Sequence, residues 1–259
     1  QDSLPLTATS EAGVYTVHAE LRLPTTEPLE SRADPLLVSD VAPVVWQGTG
    51  SAAQVPVTLL VPLMLPGSVR TMPTAEQLRE IAPRLRELLD AAEAAQATLA
   101  VDPRILAGVR VLGDGAPAAA RDLLTRLEAT ERPVFLLQFA DADPAAQAAL
   151  GREALLTPLG LSYLQRDDAG DDAAGGAAER TAALTALPQA FPGAWPAAGD
   201  VDSATLALLR DAGLTSIVVD SDSVTSASGT RVQLDGLGAL VTDTALEAGS
   251  RQALAAPSA

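Results

Sequence analysis

The chain has 259 residues, 47% of them hydrophobic but only 3% aromatic, so its core is built mostly from Ala, Leu and Val. It carries 17 basic against 33 acidic residues, a formal net charge of −16 that disfavours nucleic acid as a partner, because a phosphate backbone would be repelled. It has no cysteine, which excludes disulfides, thiolate zinc sites and a cysteine nucleophile.

All of the basic residues are Arg, a composition expected of a high-GC bacterium. No apolar run approaches the length of a membrane span. The opening Gln1-Asp2-Ser3 reads as a mature or excised segment.

Residues 1–54 form a β-rich segment and linker. Val17, Ala19, Leu21 and Leu23 alternate with Thr16, His18, Glu20 and Arg22, the pattern of a half-exposed antiparallel strand. Leu36 to Val38 and Pro43 to Trp46 supply further short strands, and Gly48 to Ala53 reads as a linker.

From residue 55 to 259 strands alternate with helices. Apolar runs place strands near 57–61, 97–101, 134–138, 192–195, 215–220 and 237–241, with Leu159 to Leu164 as a seventh. Helices are expected from Thr74 to Ala95, from about Arg104 to Leu112, after Pro117, from Pro144 through Leu150, and from Asp202 or Ser203 to Gly213. Residues 165–180 form an acidic, Gly-containing loop. Six or seven strand–helix units imply right-handed crossovers. The fold expected is an α/β (β/α) barrel, seven-stranded and closed or nearly closed, favoured over an open doubly wound sheet, with a small β-rich N-terminal appendage. No glycine-rich phosphate loop follows any strand, so no nucleotide cofactor is expected.

The recurring phrase is an apolar run that stops at Asp or Pro: Val101-Asp102-Pro103, Phe139-Ala140-Asp141-Ala142-Asp143-Pro144 and Val219-Asp220-Ser221-Asp222. Ligands of α/β folds sit at the carboxyl ends of parallel strands, so these carboxylates gather where a site would be. Asp102, Asp141 and Asp220 are the catalytic candidates. A carboxylate in such a place can act as acid, base or nucleophile. Asp102 and Asp143 are equally well placed to cap the helices that follow them. Trp195, Asp143 and Asp200 are the substrate-binding candidates, Trp195 because an indole face stacks on sugar C–H groups. His18, the single histidine, lies on the polar face of a strand outside the barrel, so neither a Ser-His-Asp triad nor a His-bound metal is expected.

Several segments, in order, resemble a family. They are Pro56 to Leu63, Leu99 to Leu106, Val109 to Gly113 with Ala116-Pro117, Phe139 to Asp143, and Ala194-Trp195-Pro196 with Gly199 and Val201. Together they are similar to a family of uncharacterised exported actinobacterial proteins with Microbacterium-type members. That resemblance implies a surface protein with a signal peptide, a β-rich region, this α/β region and a C-terminal membrane anchor. It also implies envelope biology, since the family is encoded near the lipid II flippase. More distantly, Trp195-Pro196, Gly199 and Ser216 to Val219 resemble the barrels of polysaccharide deacetylases and family-57-type glycosidases. Those deacetylases hold a metal with Asp and two His, and this chain has no such His pair.

Three functions follow as expectations. The first is an extracytoplasmic envelope protein that binds glycan or an envelope partner at the strand ends. The second is a glycoside hydrolase using two Asp carboxylates, whose separation would set retention or inversion. The third is a non-catalytic scaffolding ectodomain in which the Asp residues are only caps.

Overall fold

The alternation along the N-terminal segment emerges, in a computed structural model of the chain, as a two-stranded antiparallel sheet. Strand β1 (Gly13–Arg22) pairs with β2 (Leu36–Trp46), Gly13 opposite Trp46, and the register shifts between Leu21 and Arg22. The two short strands expected at Leu36 to Val38 and Pro43 to Trp46 are one strand. Pro43 is tolerated within it because each strand of a two-stranded sheet has an open edge. Residues 13–22, 36–46, 57–158, 161, 176–197, 199, 201–224 and 230–248 are described by the structure. The chain divides into two compact units, Gln1–Val57 and Thr58–Ala259.

In the second unit, strands β3 (Leu60–Leu63), β4 (Thr98–Val101) and β5 (Val134–Leu136) form a parallel three-stranded sheet in that order. Helix α1 (Ala75–Ala94) connects the first pair, and α2 (Pro103–Leu112) and α3 (Ala118–Ala129) lie between the second. After α4 (Pro144–Ala149) and α5 (Ala177–Thr185) comes a four-stranded sheet. It contains β6 (Gly193–Ala194), β7 (Ser216–Asp220), β8 (Arg231–Leu234) and β9 (Leu237–Thr242), ordered β6-β7-β9-β8, with α6 (Ser203–Asp211) before β7.

Local chemistry sets these boundaries. Thr74 closes a capping box at α1: its hydroxyl accepts from the Gln77 N–H at 3.2 Å, and the Gln77 side chain accepts from the Thr74 N–H at 2.9 Å. Asp102, Asp143 and Asp202 cap α2, α4 and α6, and Pro103 and Pro144 occupy first-turn positions where no N–H is needed.

The period of two along each strand divides the core. Leu99 and Val101 face the helices, packed with Leu85, Leu89, Ile105, Leu123 and Leu127. Ala100, Phe135 and Leu137 face the other way and meet Val218 of the second sheet, with Leu60, Met64, Phe191 and Trp195 around them. The sheets adjoin at one seam, where the Phe191 N–H donates to the Val134 carbonyl at 2.9 Å.

The seven-stranded barrel expected from the sequence is not the fold. The strands form two small sheets of three and four, and no ring closes through them. The physical reason lies at the two ends of the series. Among the described residues β3 pairs only with β4, and β9 takes the antiparallel strand β8 as its outer neighbour. Asp235 and Gly236, at φ 46° and 87°, make the two-residue turn that returns the chain as a hairpin rather than through a further crossover. Most of the run from Leu159 to Leu164 lies outside the described residues, and Leu161 is not in a strand. Of the expected loop at 165–180, residues 165–175 lie outside the described residues and Ala177 onward begins α5. The carbonyls at the end of α5 are met by Arg110, which donates to Leu184 and Ala186 at 2.8 Å each.

One close approach is testable. A Cβ on Gly108 would stand 2.5 Å from Cγ of Pro73, whose ring cannot swing away. Gly108→Ala is therefore expected to destabilise the protein by about 1–3 kcal/mol by overpacking, although Ala is the better helix former. Urea unfolding checks this, and a stabilised variant would show that α2 has room to move off Pro73.

Candidate functional site

Loops at the carboxyl ends of β3, β5, β6 and β7 surround a cleft of about 320 Å³. Its apolar floor is continuous with the cluster between the sheets: Met64, Leu137 and Trp195 belong to both. Its polar lining is acidic, with Asp141, Asp143, Asp220 and Glu247 beside Gln138, and among the described residues no Arg lines it.

The candidates from the sequence separate into distinct environments. Asp141, Asp143, Trp195 and Asp220 converge on this cleft. Asp102 does not line it. It is 1% exposed, and its carboxylate is consumed locally. Oδ1 accepts from the Arg104 backbone N–H at 2.9 Å, while the Arg104 guanidinium donates to Oδ2 from Nη2 at 2.7 Å and from Nε at 3.1 Å. Arg104 is buried too, and its Nη1 donates to the Val69 carbonyl at 2.8 Å. Asp102 is thus both helix cap and counter-ion. Asp200 lies outside the described residues. His18 is in β1, in the other unit.

Asp220, at the end of β7, accepts from the Thr242 hydroxyl at 3.3 Å. Asp222 turns instead to Thr244, whose hydroxyl donates to it at 3.1 Å. Asp141 is held by an uncommon backbone. Ala140 and Asp141 both adopt left-handed conformations, at φ 58° and 55°, in the short 3-10 turn Phe139–Asp141. For residues with a Cβ this geometry costs about 1–2 kcal/mol each. Partial burial pushes the Asp141 carboxyl above its ordinary range, the negative charge of Asp102 pushes it further, and Arg104 opposes the shift. Glu247, which sequence reasoning did not single out, comes from a helical turn after β9. It stands a helical turn beyond the end of the run Leu237–Thr242 rather than directly at the strand end, so the pattern that found the other carboxylates does not reach it.

Among the described residues, no three His, Asp or Glu side chains are grouped so as to hold a metal ion. Nor, among those residues, is any helix long and apolar enough to cross a membrane. What the cleft can do is accept hydrogen bonds on carboxylates and stack a ring on an indole.

An α/β protein of two small sheets, with an acidic cleft at the strand ends, is what the fold and site define. The chain belongs to the family of unknown function DUF6049, whose family model matches residues 1–259. No curated protein and no solved structure matches it.

Two variants separate structure from chemistry. Asp102→Asn leaves Arg104 as an uncompensated buried charge and is expected to cost about 3–5 kcal/mol in urea unfolding. Adding Arg104→Met is expected to recover part of that loss, and a single variant as stable as the parent would refute the structural role. At Asp141 the sign is reversed. Its raised pKa means that the folded state holds the proton more tightly than the unfolded state. Stability therefore falls as pH rises from the unfolded pKa through the folded one, and above both the ionised carboxylate is a net penalty. Asp141→Asn, which tolerates a left-handed backbone, is expected to raise Tm at neutral pH, with the gain disappearing below the ordinary carboxylate range. A gain independent of pH would assign the effect to backbone strain instead.

Proposed function

We propose that this is an extracytoplasmic cell-envelope protein that binds glycan in the cleft at the carboxyl ends of β3, β5, β6 and β7. The observation that carries the reading is the convergence of Asp141, Asp220 and Trp195 over an apolar floor in one cleft. Sugars present alternating C–H faces and hydroxyl edges. An indole matches the first, and carboxylates, as acceptors only, match the second. The volume lies at the lower end of the usual range for ligand pockets, about 300–1,000 Å³, and suits one or two sugar rings rather than a long chain. The resemblance to exported envelope proteins supports the location.

The charge of the cleft narrows the ligand. With four carboxylates and, among the described residues, no cation lining the cleft of a chain of net charge −16, uronate or phosphate groups would be repelled. Neutral sugars and sugars bearing a free amine fit. A hydrolase acting through Asp141 and Asp220 is the second reading, favoured by the upward shift of the Asp141 carboxyl, the condition of a general acid. The pair of Asp102 with Asp141 has lost its support, since Arg104 occupies the Asp102 carboxylate.

Titration with three probes tests the reading: a neutral arabinogalactan fragment, a de-N-acetylated chito-oligosaccharide and an oligogalacturonate. Binding of the neutral or the amine-bearing probe, lost in Trp195→Ala and Asp220→Ala, is expected, with the probe recovered intact. New reducing ends would transfer the conclusion to the hydrolase. No binding by any probe would overturn the glycan reading, and preferred binding of the galacturonate would overturn the charge argument.

A further inference from the structure

The carboxylate of Asp143 does more than cap a helix. Its Oδ1 accepts from the Ala145 N–H at 3.1 Å and its Oδ2 from the Ala146 N–H at 3.2 Å, which is the capping function. Oδ1 also accepts, at 3.2 Å, from the N–H of Ala197, which is 54 residues further along the chain and also lines the cleft. Between Ala197 and Trp195 lies only Pro196, which is buried. Proline fixes its own φ and restricts the residue before it to extended backbone. Anchoring Ala197 therefore leaves the Trp195 backbone few alternatives.

The same helix also holds the backbone beside Asp141. Gln147, 4% exposed, donates from Nε2 to the Ala142 carbonyl at 3.1 Å and accepts on Oε1 from the Leu156 N–H at 2.7 Å. Ala142 directly follows Asp141. One short helix thus holds the backbone next to the acidic group and, through Asp143, the backbone next to the aromatic group.

We propose that Asp143 is a positioning residue: it pins the Trp195–Ala197 segment to α4 and so fixes the indole relative to Asp141, rather than contacting ligand itself. Its use in ligand binding rests on the glycan reading above. The pin itself is read without any ligand.

The test is made in a Trp46→Phe background, where Trp195 is the only tryptophan, since the chain has two. Asp143→Ser keeps a good N-cap, but its single short hydroxyl does not also reach Ala197. Asp143→Asn keeps an acceptor oxygen for both. Ala197→Pro deletes the donor N–H, also fixing φ at 197 and restricting Pro196, and leaves the α4 cap untouched. Acrylamide quenching of Trp195 is expected to rise in Asp143→Ser and in Ala197→Pro, and to return to the parent value in Asp143→Asn, while Tm stays close to the parent in all three. Affinity for the glycan probe that binds the parent is expected to fall about tenfold in the first two, the size of one lost hydrogen bond. Unchanged quenching in both Asp143→Ser and Ala197→Pro would overturn the pin. Raised quenching with unchanged affinity would overturn its role in binding. Raised quenching in a protein that binds none of the probes would leave the pin standing and remove the glycan reading.

Discussion

The cleft exists because two sheets share one apolar cluster without closing around it. Phe135 stands at the centre, fully buried, with Ala100 and Leu137 of its own sheet on one side and Val218 of the other sheet facing it. Its ring lies 5.3 Å from that of Phe191, and Gly193 has no Cβ because one would meet both rings at 3.0–3.1 Å. That close approach lets the chain cross from β5 to β6 with one backbone bond, Phe191 to Val134, as the seam. Above Phe135 the cluster ends in Met64, Leu137 and Trp195, and there the cleft begins. Hydrophobic burial and the floor of the site are therefore one structure.

Carboxylates of similar sequence context end in different states, and the neighbours explain why. Asp102 is buried, and a guanidinium and a backbone N–H supply its carboxylate with compensating donors. Asp202 is exposed, and its carboxyl is pushed below the ordinary range by the Thr205 backbone N–H and then the Thr205 hydroxyl. Asp141 is pushed the other way, partly desolvated beside the negative charge of Asp102. The three differ only in what is arranged around them.

Much of this was legible in the chain. The Asp-Pro junctions at 102–103 and 143–144 both announce helix caps, and the first also marks the end of β4, whereas a 3-10 turn separates the second from β5. The spacing of Thr74 and Gln77 announced α1 in the same way. Counting apolar runs counts strands but not their closure. The run near 192–195 does contain β6, but only two residues of it form the strand. β8 alternates polar with partly buried residues and was passed over, although Asp235-Gly236 is a two-residue hairpin signal. The partner of Asp102 was also within reach, two residues along at Arg104. Sequence spacing alone does not show that a guanidinium folds back onto its own cap.

The strain at Ala140 and Asp141 fits the same arrangement. Two successive left-handed residues, neither of them glycine, persist only where surrounding contacts over-determine the backbone. Those contacts are identifiable on both sides. The Asp141 N–H donates to the Gln138 carbonyl at 2.9 Å, and Gln147 holds the Ala142 carbonyl from below. What the strained turn adds is the direction of one side chain: it brings Asp141 to the cleft, close enough to the buried Asp102–Arg104 pair to feel both charges. The pair that stabilises α2 and the turn that presents Asp141 thus act on the same carboxyl, one through its charges and the other through its position.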